Sequence, residues 1–136
     1  MKIVLAFWRA AALLSLAPAA WACGVCIEDK VAATYDHEVV MRAAAKGNVM
    51  VFCQLAGPID ARRIKSAARK VRGVDPASLR ISAQPAALSF ALDAQQSPTA
   101  AVSDMQRAIP AGTHVAIVRV IAPTGALAQA PQRQAR

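Results

Sequence analysis

The order of apolar segments between residues 49 and 121 constrains the fold more than any other feature of this chain. Residues 49–55 are rich in β-forming side chains and alternate in phase, which predicts a first strand. One face of that strand carries Val49, Val51, Cys53 and Leu55. Residues 60–72 repeat apolar side chains at helical spacing after Asp60, a suitable N-cap, and Gly73 is a suitable residue to follow the helix. A strand followed by a helix is therefore predicted here.

The rest of this region repeats the pattern. Residues 79–82 and 88–92 predict two strands of a hairpin, separated by a turn at Gln84-Pro85-Ala86. Ser97-Pro98 predicts the start of a second helix, and residues 114–121 predict the last strand. This order is that of a ferredoxin-like βαββαβ sandwich, an α+β fold in which one antiparallel sheet carries two helices on the same face. The predicted core includes Ile64, Val71, Leu79, Ile81, Phe90, Val102 and Met105.

An extra N-terminal helix is predicted before the first strand. Residues 28–46 contain neither Gly nor Pro and repeat apolar side chains at helical spacing, and Gly47-Asn48 follows them. Because this helix has an apolar stripe of its own, we expect it to cover an edge or the open face of the sheet. The chain then divides into residues 23–48, with a Cys-x-x-Cys segment and the extra helix, and the ferredoxin-like domain at 49–121.

Residues 1–22 have the parts of a secretory signal peptide. Lys2 supplies the positive start, residues 3–16 are apolar apart from two side chains, and Ala20-Trp21-Ala22 places small residues at the positions that a signal peptidase recognises. Cleavage is expected before Cys23, which gives an exported protein, periplasmic or secreted, of about 114 residues. A lipoprotein is the alternative, but Trp21 stands where that signal has a small or β-branched residue.

The chain is basic, with a formal net charge of +8, and about +6 remains without residues 1–22. An exported chain rarely meets nucleic acid, and no aromatic residues are interleaved with the basic ones, so we expect no nucleic-acid partner. The charge favours solubility, a weak contact with anionic membrane surfaces or an acidic partner. Residues 122–136 are rich in Pro, Gln and Ala and are expected to form a flexible tail.

One segment carries a resemblance to a known family. Arg69-Lys70-Val71-Arg72-Gly73-Val74, followed by Leu79-Arg80-Ile81, resembles the heavy-metal-associated domains of copper chaperones and metal-pumping ATPases. The resemblance covers roughly residues 49–121 and implies the ferredoxin-like fold. That family binds soft metal through a Cys-x-x-Cys pair in the loop after the first strand. Here residues 54–60 form that loop with only Cys53 before it, so the family's metal site does not carry over.

The motif Cys23-Gly24-Val25-Cys26 has the spacing of a disulfide, a redox pair or two thiolate ligands for a soft metal. Attachment of a c-type haem is not expected, because Ile27 stands where that motif has His. The N-terminus of the helix that follows favours the thiolate form of Cys26.

His37 and Met41 lie one turn apart in the predicted extra helix, so we count them with Cys23 and Cys26 as candidate ligands of a copper or zinc ion. Cys53 is predicted to be a buried, inert thiol. No catalytic triad, paired carboxylates or phosphate-binding loop is recognised, so the expected function is non-enzymatic binding or delivery of a soft metal. A thiol-disulfide redox protein and an interaction module with a structural disulfide and an unknown protein partner remain the alternatives.

Overall fold

The computed structural model describes the backbone of residues 23–123 and the side chains of residues 27–123. This range contains one four-stranded antiparallel sheet and four α-helices, so the predicted α+β class is confirmed. The elements in chain order are α1 (Cys23–Thr34), α2 (His37–Ala45), β1 (Val49–Ala56), α3 (Ala61–Arg69), β2 (Arg80–Ala83), β3 (Ala86–Leu92), α4 (Pro98–Ala108) and β4 (His114–Ile121). The predicted signal peptide and all but the first two residues of the predicted tail lie outside the described residues.

The strands lie in the order β2-β3-β1-β4, and each neighbouring pair is antiparallel. The central strand β1 pairs with both β3 and β4, as in the register of Val51 with Phe90 on one side and Val120 on the other. Strands β2 and β4 form the two edges. This connectivity is compatible with the arrangement predicted from the sequence.

The main core lies between the sheet and the layer formed by α3 and α4. Helix α3 buries its apolar stripe and begins at Asp60, whose Oδ1 accepts hydrogen bonds of 3.1 Å from the backbone N–H groups of Arg62 and Arg63. Helix α4 buries Met105 in the same cluster. The two helices therefore pack on the same face of the sheet, as predicted. Of the seven predicted core residues, only Ile81 is half-buried, because it lies on the edge strand β2.

A second, smaller core lies on the opposite face of the sheet, under α1 and α2. Its buried members are Val31, Val39, Ala43, Met50, Phe52 and Ala91. These two helices occupy the range for which a single helix over residues 28–46 was predicted. The prediction of one continuous helix is wrong, because the chain breaks at Asp36. This residue has an extended backbone (φ −133°, ψ 112°) and caps the second helix by accepting a 3.2 Å hydrogen bond from the Val39 N–H.

Strand β4 contains a bulge that changes which face its side chains occupy. Cys53 of β1 pairs with Ile117 and the preceding Phe52 pairs with Arg119, so Val118 is the extra residue. Ile117 packs against the α3 and α4 core, whereas Arg119 lies on the side of α1. Because of the bulge, the side chain of Arg119 on the edge strand β4 lies on the face of the sheet that α1 covers.

Across residues 23–123, no helix has both the length and the apolar content that crossing a membrane requires.

Candidate functional site

The helix that carries the Cys-x-x-Cys motif is held on the sheet by polar contacts at both ends. Near its start, Glu28 forms an ion pair with Arg119 of the edge strand β4. Two residues later, Lys30 Nζ donates a 2.8 Å hydrogen bond to Oε1 of Gln54 on β1. The first half of α1 is thus tied to one edge strand and to its neighbour.

The second half of α1 reaches the remaining two strands. Ser89 of β3 donates a 2.9 Å hydrogen bond from its Oγ to the backbone carbonyl of Thr34, and both residues are buried. Asp36, just after the helix, pairs with Arg80 of β2. The anchoring strands therefore follow the spatial order β4, β1, β3, β2, so α1 crosses the whole sheet from the β4 edge to the β2 edge.

The two cysteines lie at the β4 end of this helix. Cys23 is its first residue and Cys26 follows three positions later. Residues three apart in an α-helix share one face. The backbone N–H groups of a first helical turn have no partner within the helix and carry a partial positive charge. That environment favours the thiolate, which is the form that binds metals and attacks disulfides.

His37 and Met41 lie on a different helix from the cysteines. Both belong to α2, beyond the break at Asp36, and both are exposed. The rise of an α-helix places Thr34 about 12 Å along the axis from Cys26, whereas ligands of one ion lie within about 4 Å of one another. His37 instead has its Nδ1 at 3.4 Å from the Tyr35 hydroxyl. Two of the four candidates thus begin α1, and the other two belong to α2.

Among the side chains of residues 27–123, no three His, Cys, Asp or Glu groups converge in a way that would hold a metal ion. The third cysteine is the buried thiol that its alternation predicted: Cys53 is 1% exposed, between Leu88 on β3 and Ile117 on β4. Burial raises the pKa of the Cys53 thiol to about 12. This thiol is therefore protonated at neutral pH and inert.

The residues that anchor α1 were not predicted from the sequence. Gln54, Arg80, Ser89 and Arg119 are polar side chains inside otherwise apolar strands. Such interruptions are a usable signal, because a polar residue in a buried strand needs a hydrogen-bond partner. Their partners lie at least 24 residues away in the chain, and no local pattern identifies them.

Comparison of this chain with protein-family models, with curated proteins and with solved structures finds no match. The resemblance to heavy-metal-associated domains stays a prediction.

Proposed function

We propose that this chain is a small, exported, non-enzymatic protein that binds a soft metal ion through Cys23 and Cys26. The observation that carries the proposal is the position of both cysteines in the first turn of α1, a helix that is anchored to all four strands. A helix start favours thiolates, and residues three apart in a helix share one face, so both thiolates can reach one ion.

Copper(I) fits this site better than zinc(II). Structural zinc sites have four protein ligands in a tetrahedron, whereas the cysteine pair supplies two. His37 and Met41 belong to α2, beyond the break at Asp36, so we propose a site without them. Thiolates are soft ligands that select Cu(I). We therefore propose Cu(I) as the metal, with Cys23 and Cys26 as its ligands from this chain.

We further propose that residues 49–121 form a ferredoxin-like βαββαβ sandwich, with α1 and α2 as an added layer. The strand order β2-β3-β1-β4 and the packing of α3 and α4 on one face support this. In the family that the chain resembles, the metal loop joins the first strand to the helix that corresponds to α3. The cysteine pair of this chain begins α1, on the opposite face of the sheet, so this site and the family's site differ in position.

Thiol-disulfide exchange is the second candidate function. The same observation favours it, because a Cys-x-x-Cys pair at a helix start has a stabilised thiolate and a resolving thiol within reach. The reduction potential separates this role from a structural bridge: a value below about −300 mV indicates a structural disulfide, and a clearly higher value indicates an exchanging pair.

The test of metal binding uses the reduced protein and native mass spectrometry after Cu(I) is added under argon. We expect one copper per chain in the wild type and none after Cys23→Ser and Cys26→Ser, while Cys53→Ala keeps the copper because that thiol is buried. Full loading of the double variant would reject this site. An unloaded wild type would reject metal binding, and the reduction potential would then decide between the two thiol roles.

Export is a proposal that rests on residues 1–22 of the sequence alone. The intact mass of protein recovered from the cell envelope or the medium should lack those residues and carry no lipid. A diacylglyceryl mass on Cys23 would instead show a lipoprotein, whose modified thiol is no longer a metal ligand.

A further inference from the structure

The positive charge of residues 27–123 is concentrated on one segment, which consists of α3 and the three residues after it. Six of the 12 Lys and Arg side chains at residues 27–123 fall within residues 62–72, a segment with no Asp or Glu. All six are exposed, whereas the apolar side of α3 is buried against the sheet. We call these side chains the α3 basic face; they are Arg62, Arg63, Lys65, Arg69, Lys70 and Arg72.

The α3 basic face differs from the other cations in its lack of ion-pair partners. Outside it, four of the six cations in the described range are paired with a carboxylate: Lys46, Arg80, Arg107 and Arg119. Within it, only Arg63 has such a partner, the exposed capping residue Asp60. Of the seven cations without a carboxylate partner in the described range, five therefore lie on this one surface, where they produce a positive field.

The geometry of the α3 basic face is broad and shallow. Arg62 and Lys65 border a groove beside β2, Arg63 and Lys70 border another beside the end of α4, and Arg69 lies between them. The grooves that these side chains border are open to solvent and do not enclose a small anion. Long, separate cations spread over an open surface match an extended array of phosphates.

From this arrangement we propose that the α3 basic face docks the protein onto the surface of an anionic phospholipid membrane. A cluster of four to eight Lys and Arg residues on an amphipathic helix attracts such a surface by charge alone. A protein partner is favoured less, because interface centres use aromatic residues and Met, and the exposed large apolar residues lie off α3: Ile27, Tyr35, Met41 and Val120. Nucleic acid is favoured less because α3 carries no aromatic side chain for stacking.

Docking through α3 has a consequence for orientation. Helices α3 and α1 pack on opposite faces of the sheet. A molecule held by α3 therefore turns the helix that bears Cys23 and Cys26 away from the membrane and towards the solution.

The test compares two triple variants of the full chain that lose the same charge at different places. The first carries Arg62→Gln, Lys65→Gln and Arg69→Gln; the matched control carries Arg42→Gln, Lys46→Gln and Arg119→Gln, on the side of the sheet that α1 and α2 cover. Gln has a helix propensity close to that of Arg and Lys, and circular dichroism checks that both variants fold. The partition constant is measured on vesicles with about 30% phosphatidylglycerol and on vesicles of pure phosphatidylcholine. The ratio of the two constants is compared between variants, because apolar contributions to binding cancel in this ratio.

We expect the wild type to prefer anionic vesicles and to lose this preference near 1 M salt, where the screening length is about 3 Å. Each cation near such a membrane contributes roughly a fivefold factor, so the α3 variant should lower the ratio by about 100-fold. The control variant should stay within about fivefold of the wild type, because its cations lie off the docking face. An equal loss in both variants would show an effect of net charge and overturn the proposal. A wild type with no preference for anionic vesicles would also overturn membrane docking. If that protein bound an acidic peptide or duplex DNA through α3, the partner of the α3 basic face would be a different polyanion.

Discussion

Arg80 of β2 donates two hydrogen bonds to a single carboxylate oxygen of Asp36, from Nε at 3.1 Å and from Nη2 at 2.9 Å. The other oxygen of Asp36 accepts the Val39 backbone N–H at 3.2 Å and so begins α2. One side chain therefore sets the boundary between α1 and α2 and fixes that boundary to the far edge of the sheet. The end of α1 opposite the cysteines depends on this pair.

The first prediction concerns acid stability. The hydrogen bond from Arg80, with a smaller effect of the Val39 N–H, holds the pKa of Asp36 below its ordinary value. Because the folded pKa lies below the unfolded one, this stabilisation is present above about pH 4 and is lost as the pH falls through the folded pKa. Asp36→Asn keeps a capping side chain but removes the charge. Urea unfolding should show a smaller loss of stability between about pH 6 and pH 3 in this variant than in the wild type.

Arg80→Gln provides the second half of that test, because it removes the cation that pairs with Asp36 and leaves the Asp36 carboxylate in place. The free energy of unfolding of this variant should also depend less on pH than that of the wild type. Some dependence should remain in both variants, since Lys46 lowers the pKa of Asp75 in the same way. A wild-type pH profile in both variants would contradict a stabilising role for the Asp36 and Arg80 pair.

The second prediction concerns the buried hydrogen bond between Ser89 and the Thr34 carbonyl. Ser89→Ala removes the donor at a site with 0% exposure, so the free energy of unfolding should fall by about 1 to 3 kcal/mol. Amide hydrogen exchange should also become faster in α1, because the helix loses its contact with β3. Ser66→Ala on the exposed side of α3 is the control and should change stability by less than about 0.5 kcal/mol. Equal effects of the two changes would argue against this anchor.

The third prediction concerns Cys53. Cys53 is the only thiol that remains in the variant with Cys23→Ser and Cys26→Ser. Because the pKa of Cys53 is about 12, roughly one molecule in 10,000 carries a thiolate there at pH 8. A colorimetric thiol reagent should therefore find almost no reactive cysteine in the folded double variant and one per chain in denaturant. Rapid labelling of the folded protein would show that β1 opens or that this thiol is accessible.

Local signals explain how much of the fold was predictable. The last strand has the predicted bounds, His114–Ile121, and the helices that begin after Asp60 and at Pro98 start where their capping residues indicate. Helix α3 ends earlier than predicted, at Arg69. Caps, turns and alternating runs act over a few residues, so the sequence alone reveals them.

Long-range contacts explain what was not predictable. The break at Asp36 depends in part on Arg80, 44 residues further along the chain, and helical periodicity continues across it. The bulge at Val118 likewise depends on the pairing with β1. The same contrast between local and long-range signals holds for the candidate site. The spacing of the cysteines is a local feature, whereas the assignment of His37 to a second helix follows from the break at Asp36.

The affinity for Cu(I), measured by competition with a chromogenic chelator, tests most directly whether Cys23 and Cys26 are the metal ligands. We expect His37→Ala and Met41→Ala to keep the wild-type affinity within about threefold, because both residues belong to α2 and not to the helix that carries the cysteines. Cys23→Ser with Cys26→Ser should abolish binding, and the wild-type affinity should fall with pH because the thiolates must be deprotonated. Unchanged affinity in the double Ser variant, or a loss of about tenfold or more on His37→Ala, would contradict a site built from the two cysteines of α1.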